Sequence, residues 1–359
     1  MGSILGLGLS HHPGPLVDPA FWPRRLSKNV EVGRIAPELF AAKNQWPAAM
    51  RAEWGEDDGV TAARAHRDRL VAGYLRLRAE LDAFAPDVVL IWGDDQYENY
   101  RQDCIPAFCV GVFDEVVSRP YGGGKNSFDT DTNVWGKAPD AELRIPGHPE
   151  AALGVCTSLL ENGFDIAYSF KFSHPRGLAH SFNNTILYLD FEDRGFPYPV
   201  IPVHVNCYGN ELMRTSSGVA NEDRRLVSPP APSPKRCFEL GRQTARFFAQ
   251  SPWRVAVIGS ASWSHASLTK KHGRLYPDVT ADALRLDELR SGRFSTWGDI
   301  PLSAIEDSGQ HEILNWICLA GAMTEVGQTA TVHDFAESYI FNSAKCFASF
   351  APAHAEEVR

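Results

Sequence analysis

Histidines and acids stand where buried runs of this chain end. Val88 to Trp92 is an unbroken apolar run of the kind a strand buried on both faces needs, and it stops at Gly93, Asp94, Asp95, Gln96. Ile4 to Leu9 ends in the same way at Ser10, His11, His12, Pro13, and Arg254 to Ser260 leads on to His265 and His272. His180 follows a glycine-containing loop. Two imidazoles and one carboxylate on one face of a metal leave positions open, which lets a non-haem Fe(II) bind substrate and dioxygen together. Such a set can be assembled from His11 or His12, Asp95, and His265 or His272. Taken singly, each residue has a plainer reading: an Asp after a strand caps the next turn, and a histidine is usually on the surface or hydrogen-bonded. Their joint placement at strand ends favours chemistry, because ligands of α/β sheets gather beyond the carboxyl ends of the strands.

The elements that must position these residues can be read from the same sequence. Apolar spacing predicts a helix over Val60 to Phe84, stopped by Pro86 just before the Asp87 strand. Pro149 to Leu160 reads as a helix closed by Gly163, followed by a strand over Ile166 to Phe172. Pro199 to Val205 and Arg254 to Ser260 read as two more strands. Between them the proline-rich loop Ser228 to Pro234 delivers Ser233 as cap and Pro234 as first residue of a helix to about Gln250. Glu312 to Val326 is a last helix with Gly327 closing it, and Gly122 to Lys125 is a flexible turn without a phosphate-loop framework. This alternation predicts an α/β fold, one large domain over 1–359 with a central, mostly buried mixed sheet flanked by helices. Residues 14–57, rich in Pro and Trp without clear periodicity, read as an irregular excursion with short helices that covers the site.

Composition narrows the function. Hydrophobic content of 44% and charged content of 22% are those of a water-soluble globule, and no apolar run approaches the roughly 20 residues of a membrane span. A formal net charge of −9 argues against a nucleic-acid surface and for a small partner. The amino terminus lacks the features of a secretory signal, which sets the expectation of a cytoplasmic protein. Seven scattered cysteines without a CxxC pair read as core thiols.

The chain resembles the class III extradiol ring-cleavage dioxygenases, typified by the catalytic subunit of protocatechuate 4,5-dioxygenase. Ser10, His11, His12, Pro13 looks like the family's SHxP turn, whose first histidine binds iron, so that role falls on His11 and His12 takes the variable position. Asp87 to Gly111 resembles its segment of strand, acidic turn and IP(T/A)F run, matched by Ile105, Pro106, Ala107 and Phe108. Ala179, His180, Ser181 resembles the segment holding the family's acid/base histidine. Gly259, Ser260, Ser264, His265 resembles its GxGxxSH turn, and Glu312 to Met323 its closing helix. In two places the chain departs from the pattern. Where the family has a second iron-binding histidine directly after an Asp, this chain has Asp95. The family's ligand glutamate falls on His272 when counted back from the helix at Asp282, and on Lys270 when counted forward from His265.

The resemblance implies metal ligation by His11, Asp95 and His272, with His180 as acid/base and His265 bonding the substrate or orienting a ligand. The implied cofactor is Fe(II), with Mn or Zn as alternatives, and the implied reaction is ring cleavage of a catechol-type aromatic with O2. Arg101, Lys125, Lys171 or Lys270 could meet a substrate carboxylate. The family's pairing of subunits implies a homodimer. Two other readings stay open: a divalent-metal hydrolase on the same fold, and a binding protein with a decayed metal site.

Overall fold

The computed structural model describes residues 2–101, 103–122, 128, 130–172, 174, 177–209 and 229–352. Gly123, Gly124 and Lys125 of the glycine turn, and Ser228 of the proline-rich loop, lie outside the described residues. Among these residues ten strands are found: β1 (Ser3–Leu9), β2 (Val88–Asp94), β3 (Phe108–Gly111), β4 (Glu115–Ser118), β5 (Leu143–Pro146), β6 (Ala167–Ser169), β7 (Val200–Val205), β8 (Arg254–Ser260), β9 (Gln328–Ala336) and β10 (Lys345–Pro352). The longer helices are α1 (Val60–Phe84), α2 (Pro149–Glu161), α3 (His180–Leu189), α4 (Pro234–Gln250), α5 (Val279–Arg290) and α6 (Ile313–Glu325).

An eight-stranded sheet runs in the order β6-β3-β7-β2-β8-β1-β10-β9, and β4 and β5 form a separate antiparallel pair. Its middle strands β7, β2, β8 and β1 are parallel, whereas β3 and β10 run antiparallel to their inner neighbours. A parallel centre must be apolar on both faces. Alternate residues of β2 supply that: Val88, Leu90 and Trp92 enter one core, Val89 and Ile91 the other. The first core is closed by α4 and α6, through Leu240, Phe248, Ile313 and Ile317. The second is closed by α1 and α3, through Leu70, Leu77, Phe182 and Ile186. This is the α/β architecture, a mixed sheet flanked by helices, that the alternation of runs predicts.

Local sequence explains most boundaries. Ser233 caps α4 by accepting the Arg236 amide, with Pro234 in its first turn, and Gly163 takes a left-handed conformation after α2 (φ +75°). Residues 14–57 form short helices, among them Arg24–Glu31 and Ala48–Trp54, whose Trp22, Trp46, Met50 and Trp54 are buried in the second core. The strand expected over Ile166 to Phe172 shortens to β6, which among the described residues pairs with β3 at the sheet margin. Six of the seven cysteines are buried and Cys104 is exposed, all of them free thiols.

Glycine in β1 sets how closely α6 approaches the sheet. A Cβ on Gly8 would lie 2.2 Å from Trp316 Cη2, in a ring that is itself buried and donates its Nε1 hydrogen to Ala261 O. Gly8→Ala is therefore expected to cost about 1–3 kcal/mol in urea-induced unfolding through overpacking; unchanged stability would contradict this contact.

Candidate active site

Register brings the strand exits to one edge of the sheet. Leu9 pairs with Ser260, Trp92 with Gly259, and Asp94 with Val205, so β1, β8, β2 and β7 end side by side. His180 opens α3 and Glu312 immediately precedes α6. Helix N-termini favour negative charge, and in this structure they bring a buried acid and an imidazole to the strand ends.

The turn after β1 is held through its carbonyls. Tyr74 and Tyr188 hydroxyls donate to Ser10 O and His12 O, both at 2.7 Å, and Asn184 Nδ2 donates to His11 O at 2.9 Å. His11 is 2% exposed; its Nδ1 lies 3.1 Å from Ser260 O and 3.0 Å from Ser260 Oγ. Donation to that carbonyl places the proton on Nδ1 and leaves Nε2 with a free electron pair that could hold a metal. Nε2 stands 3.3 Å from Asp94 Oδ1 and 3.4 Å from Glu312 Oε2. Burial would lower the His11 pKa, but the charges of Asp94 and Glu312 outweigh it and raise it.

The two adjacent aspartates divide the roles. Asp94 is the last residue of β2, fully buried, and its Oδ2 accepts from Gln96 Nε2 at 3.2 Å. Burial, then repulsion from Glu312, holds its carboxyl above the usual range. Asp95 instead accepts the amides of Glu98, Asn99 and Tyr100 at 2.6, 2.9 and 3.0 Å. Asp95, the expected ligand, lies one step beyond the strand, and its carboxylate is engaged by these backbone donors as the cap of a turn. A Cβ on Gly93 would come within 2.7 Å of Ser181 Oγ, so only glycine there lets α3 start against the strand, where Ser181 Oγ donates to Asp94 O at 2.6 Å.

His180 is oriented by Glu98: Nδ1 lies 2.7 Å from Oε2, and its amide donates to Oε1 at 3.0 Å. Its ring meets that of His11 edge-on, with centroids 5.1 Å apart. Burial opposes its protonation, but the Glu98 charge and hydrogen bond, then Asp94 and Glu312, raise its pKa to about 10. Glu312, which the sequence offered only as the start of a helix, has its Oε1 bonded by the Tyr208 hydroxyl and lies 3.4 Å from His265 Nε2. Burial would raise its pKa, but His265 and His11 outweigh that and keep it below the usual range. His265 Nδ1 faces Trp263 O at 2.8 Å, and burial above all lowers its pKa, leaving a neutral imidazole turned toward Glu312.

Among the described residues, the group whose donor atoms all lie within 4.8 Å of one another is His11, Asp94 and His180. Two ring nitrogens and a carboxylate oxygen fit a divalent first-row metal, and each donor has its own outer partner in Ser260, Gln96 or Glu98. His272, the expected third ligand, lies outside this group; it is half-buried and stacked on Tyr276 at 4.2 Å between centroids. Its alternative, Lys270, is exposed. His12, the variable position, accepts the Gly14 amide at Nδ1 and is kept neutral by burial. His204 packs among Tyr100, Phe172 and Phe182 and bonds Asn99.

No family model matches the sequence. A 2,3-dihydroxyphenylpropionate/2,3-dihydroxicinnamic acid 1,2-dioxygenase of Photorhabdus laumondii is 25% identical, over 57% of this chain and 51% of its own length. One from Pseudomonas putida is 28% identical over 52% and 46%, and one from Paraburkholderia phymatum 24% identical over 78% and 87%. The chain is similar to extradiol-type dioxygenases. It spans about half the length of the first two of these dioxygenases and most of the third. An uncharacterized protein of Escherichia coli K12 is similar in structure at 11% identity and a TM-score of 0.43, over 79% of this chain and 92% of that one, a likeness that carries no argument. Among the described residues no helix is long and apolar enough to cross a membrane.

Two outcomes follow from the geometry. Asp94→Asn is expected to abolish tight metal binding, measured by elemental analysis after dialysis, with near-normal folding. Asp95→Asn is expected to keep the metal and lose about 1–2 kcal/mol of stability; the reverse pattern would restore Asp95 as the ligand. Because the His180 pKa is raised in the fold, its contribution to the stability of metal-free protein is complete below its ordinary value of 6.5 and fades as pH rises toward about 10. Glu98→Gln should flatten that slope in pH-dependent denaturation, and an unaltered slope would remove Glu98 as its cause.

Proposed function

We propose that this protein is an Fe(II)-dependent extradiol dioxygenase that opens a catechol-type ring with O2. The reading rests on the buried His11, Asp94, His180 group at the strand ends of a chain similar to such dioxygenases. Iron held by these three would offer open positions to both diol oxygens and to O2. One ring carbon–carbon bond beside the diol breaks and both oxygen atoms enter the product, so no external reductant is required.

The chain's own residues supply placement and proton handling. Ser260 O fixes the His11 tautomer, Glu98 fixes the His180 ring, and Gln96 holds the outer oxygen of Asp94. Neutral His265 is the group suited to accept a diol proton near neutral pH, with the Glu312 carboxylate, 3.4 Å away, stabilising the imidazolium that results. The names of the relatives favour a catechol with a carboxylated side chain as substrate.

A second assignment within the same chemistry has its own support. Glu312 Oε2 faces His11 Nε2 at 3.4 Å and has no hydrogen-bond partner, so Glu312 can serve as third ligand while His180 acts as acid/base. His180→Ala separates the two: as a ligand its loss removes the iron, as a proton carrier it leaves iron content intact and slows ring cleavage by roughly 100- to 10,000-fold. The proposed activity itself is checked by oxygen uptake. Protein loaded anaerobically with Fe(II) should consume one O2 per catechol cleaved and be silent without O2; anaerobic turnover would favour a metal hydrolase instead.

A further inference from the structure

The helix Arg24–Glu31 carries a cation that the proton and metal chemistry above leaves unused. Arg25 has a buried Nη1 with no hydrogen-bond partner. A guanidinium donor shut away from water without an acceptor is costly to leave unmade, so such a group points to an acceptor that arrives with a ligand.

Its position relates it to the site. Trp22, just before this helix, packs against the turn after β1: a Cβ on Gly14 would lie 3.1 Å from His12 Nδ1 and 3.2 Å from Trp22 Cε2. Trp22 also meets Phe341 edge-on at 5.6 Å, which fixes the helix start over that turn. Burial above all, then the like charge of Arg34, lowers the Arg25 pKa to about 10, while the Glu312 carboxylate favours its charged form; its own charge is felt at His12, His265 and Lys345. Glu312 is already engaged by the Tyr208 hydroxyl at Oε1 and faces His11 with Oε2.

We propose that Arg25 is the subsite for a carboxylate carried on the side chain of the aromatic substrate, a specificity-determining residue that selects anionic catechols over neutral ones. The planar guanidinium suits a carboxylate because two N–H groups can meet two oxygens in parallel. Other cations are placed less well. Lys171 and Lys270 are exposed, and Arg101, although its Nε is also buried without a partner, exerts its charge on Tyr97. The identity of the aromatic part rests on the ring-cleavage reading, whereas the preference for a carboxylate does not.

The test uses full-length protein and ligands that lack the diol. Binding of 3-phenylpropionate and of its methyl ester is measured by tryptophan fluorescence or calorimetry, without turnover, for the natural chain and for Arg25→Met and Arg25→Lys. The natural chain is expected to prefer the acid by roughly 10- to 100-fold, the size of a charge-assisted hydrogen bond. Arg25→Met should lose that preference and Arg25→Lys should recover part of it, with melting temperatures confirming that the variants fold. A merely structural role would shift both ligands together. Equal preference in the natural chain and Arg25→Met, or no preference in the natural chain, would overturn the assignment. Oxygen uptake is scored separately with both plain and carboxylated catechols: its failure with both would remove the ring-cleavage reading and leave the carboxylate subsite standing, and its success with unchanged acid preference in Arg25→Met would do the opposite.

Discussion

Two buried carboxylates, Asp94 and Glu312, approach the same imidazole nitrogen of His11. Burying even one carboxylate costs several kcal/mol unless opposite charge and hydrogen bonds compensate. With His11 Nδ1 committed to the Ser260 carbonyl, Nε2 and the carboxylate oxygens form a concentration of electron pairs that requires a positive charge between them. A proton on His11 supplies one unit of it; a divalent cation supplies more and gains the His180 nitrogen as well. The arrangement is therefore best understood as a cation site, and the rest of the molecule is what keeps it from relaxing.

That restraint comes from the scaffold. Parallel register sets β1, β2, β7 and β8 to end together, and the apolar alternation of β2 seats its strand between two cores so that Asp94 cannot swing away. Tyr74, Asn184 and Tyr188, all from α1 and α3, fasten the three successive carbonyls of the His11 turn. Glu98 does for His180 what Ser260 does for His11. Chemistry and folding are thus coupled: the hydrogen bonds that hold the loops are the ones that fix which nitrogen of each ring faces inward.

Sequence patterns conveyed the frame well because its determinants are local. The apolar runs of β2 and β8, the Ser233 and Pro234 start of α4, and the Pro86 stop of α1 depend on near neighbours, and they appear at or within two residues of where spacing puts them. The hairpin β9 and β10 escaped notice, since half-exposed β9 lacks a continuous apolar run. At the site, family spacing pointed to Asp95 and His272. Strand parity instead brings Asp94 beside His11: one residue's difference separates a side chain in register with β7 from one taken up by turn amides. Glu312 carried no signal of its own, because an acid at a helix start is ordinary. Only tertiary packing, which brings Tyr208 and His265 to it, gives it a role.

The existence and place of the cation site are open to direct observation. Crystals of the protein grown anaerobically with Fe(II), with diffraction recorded on either side of the iron absorption edge, should show one anomalous peak within bonding distance of His11 Nε2 and Asp94, bordered by His180 or Glu312. A peak beside Asp95 or His272, or no ordered iron at all with His11 and Asp94 in their present positions, would contradict it.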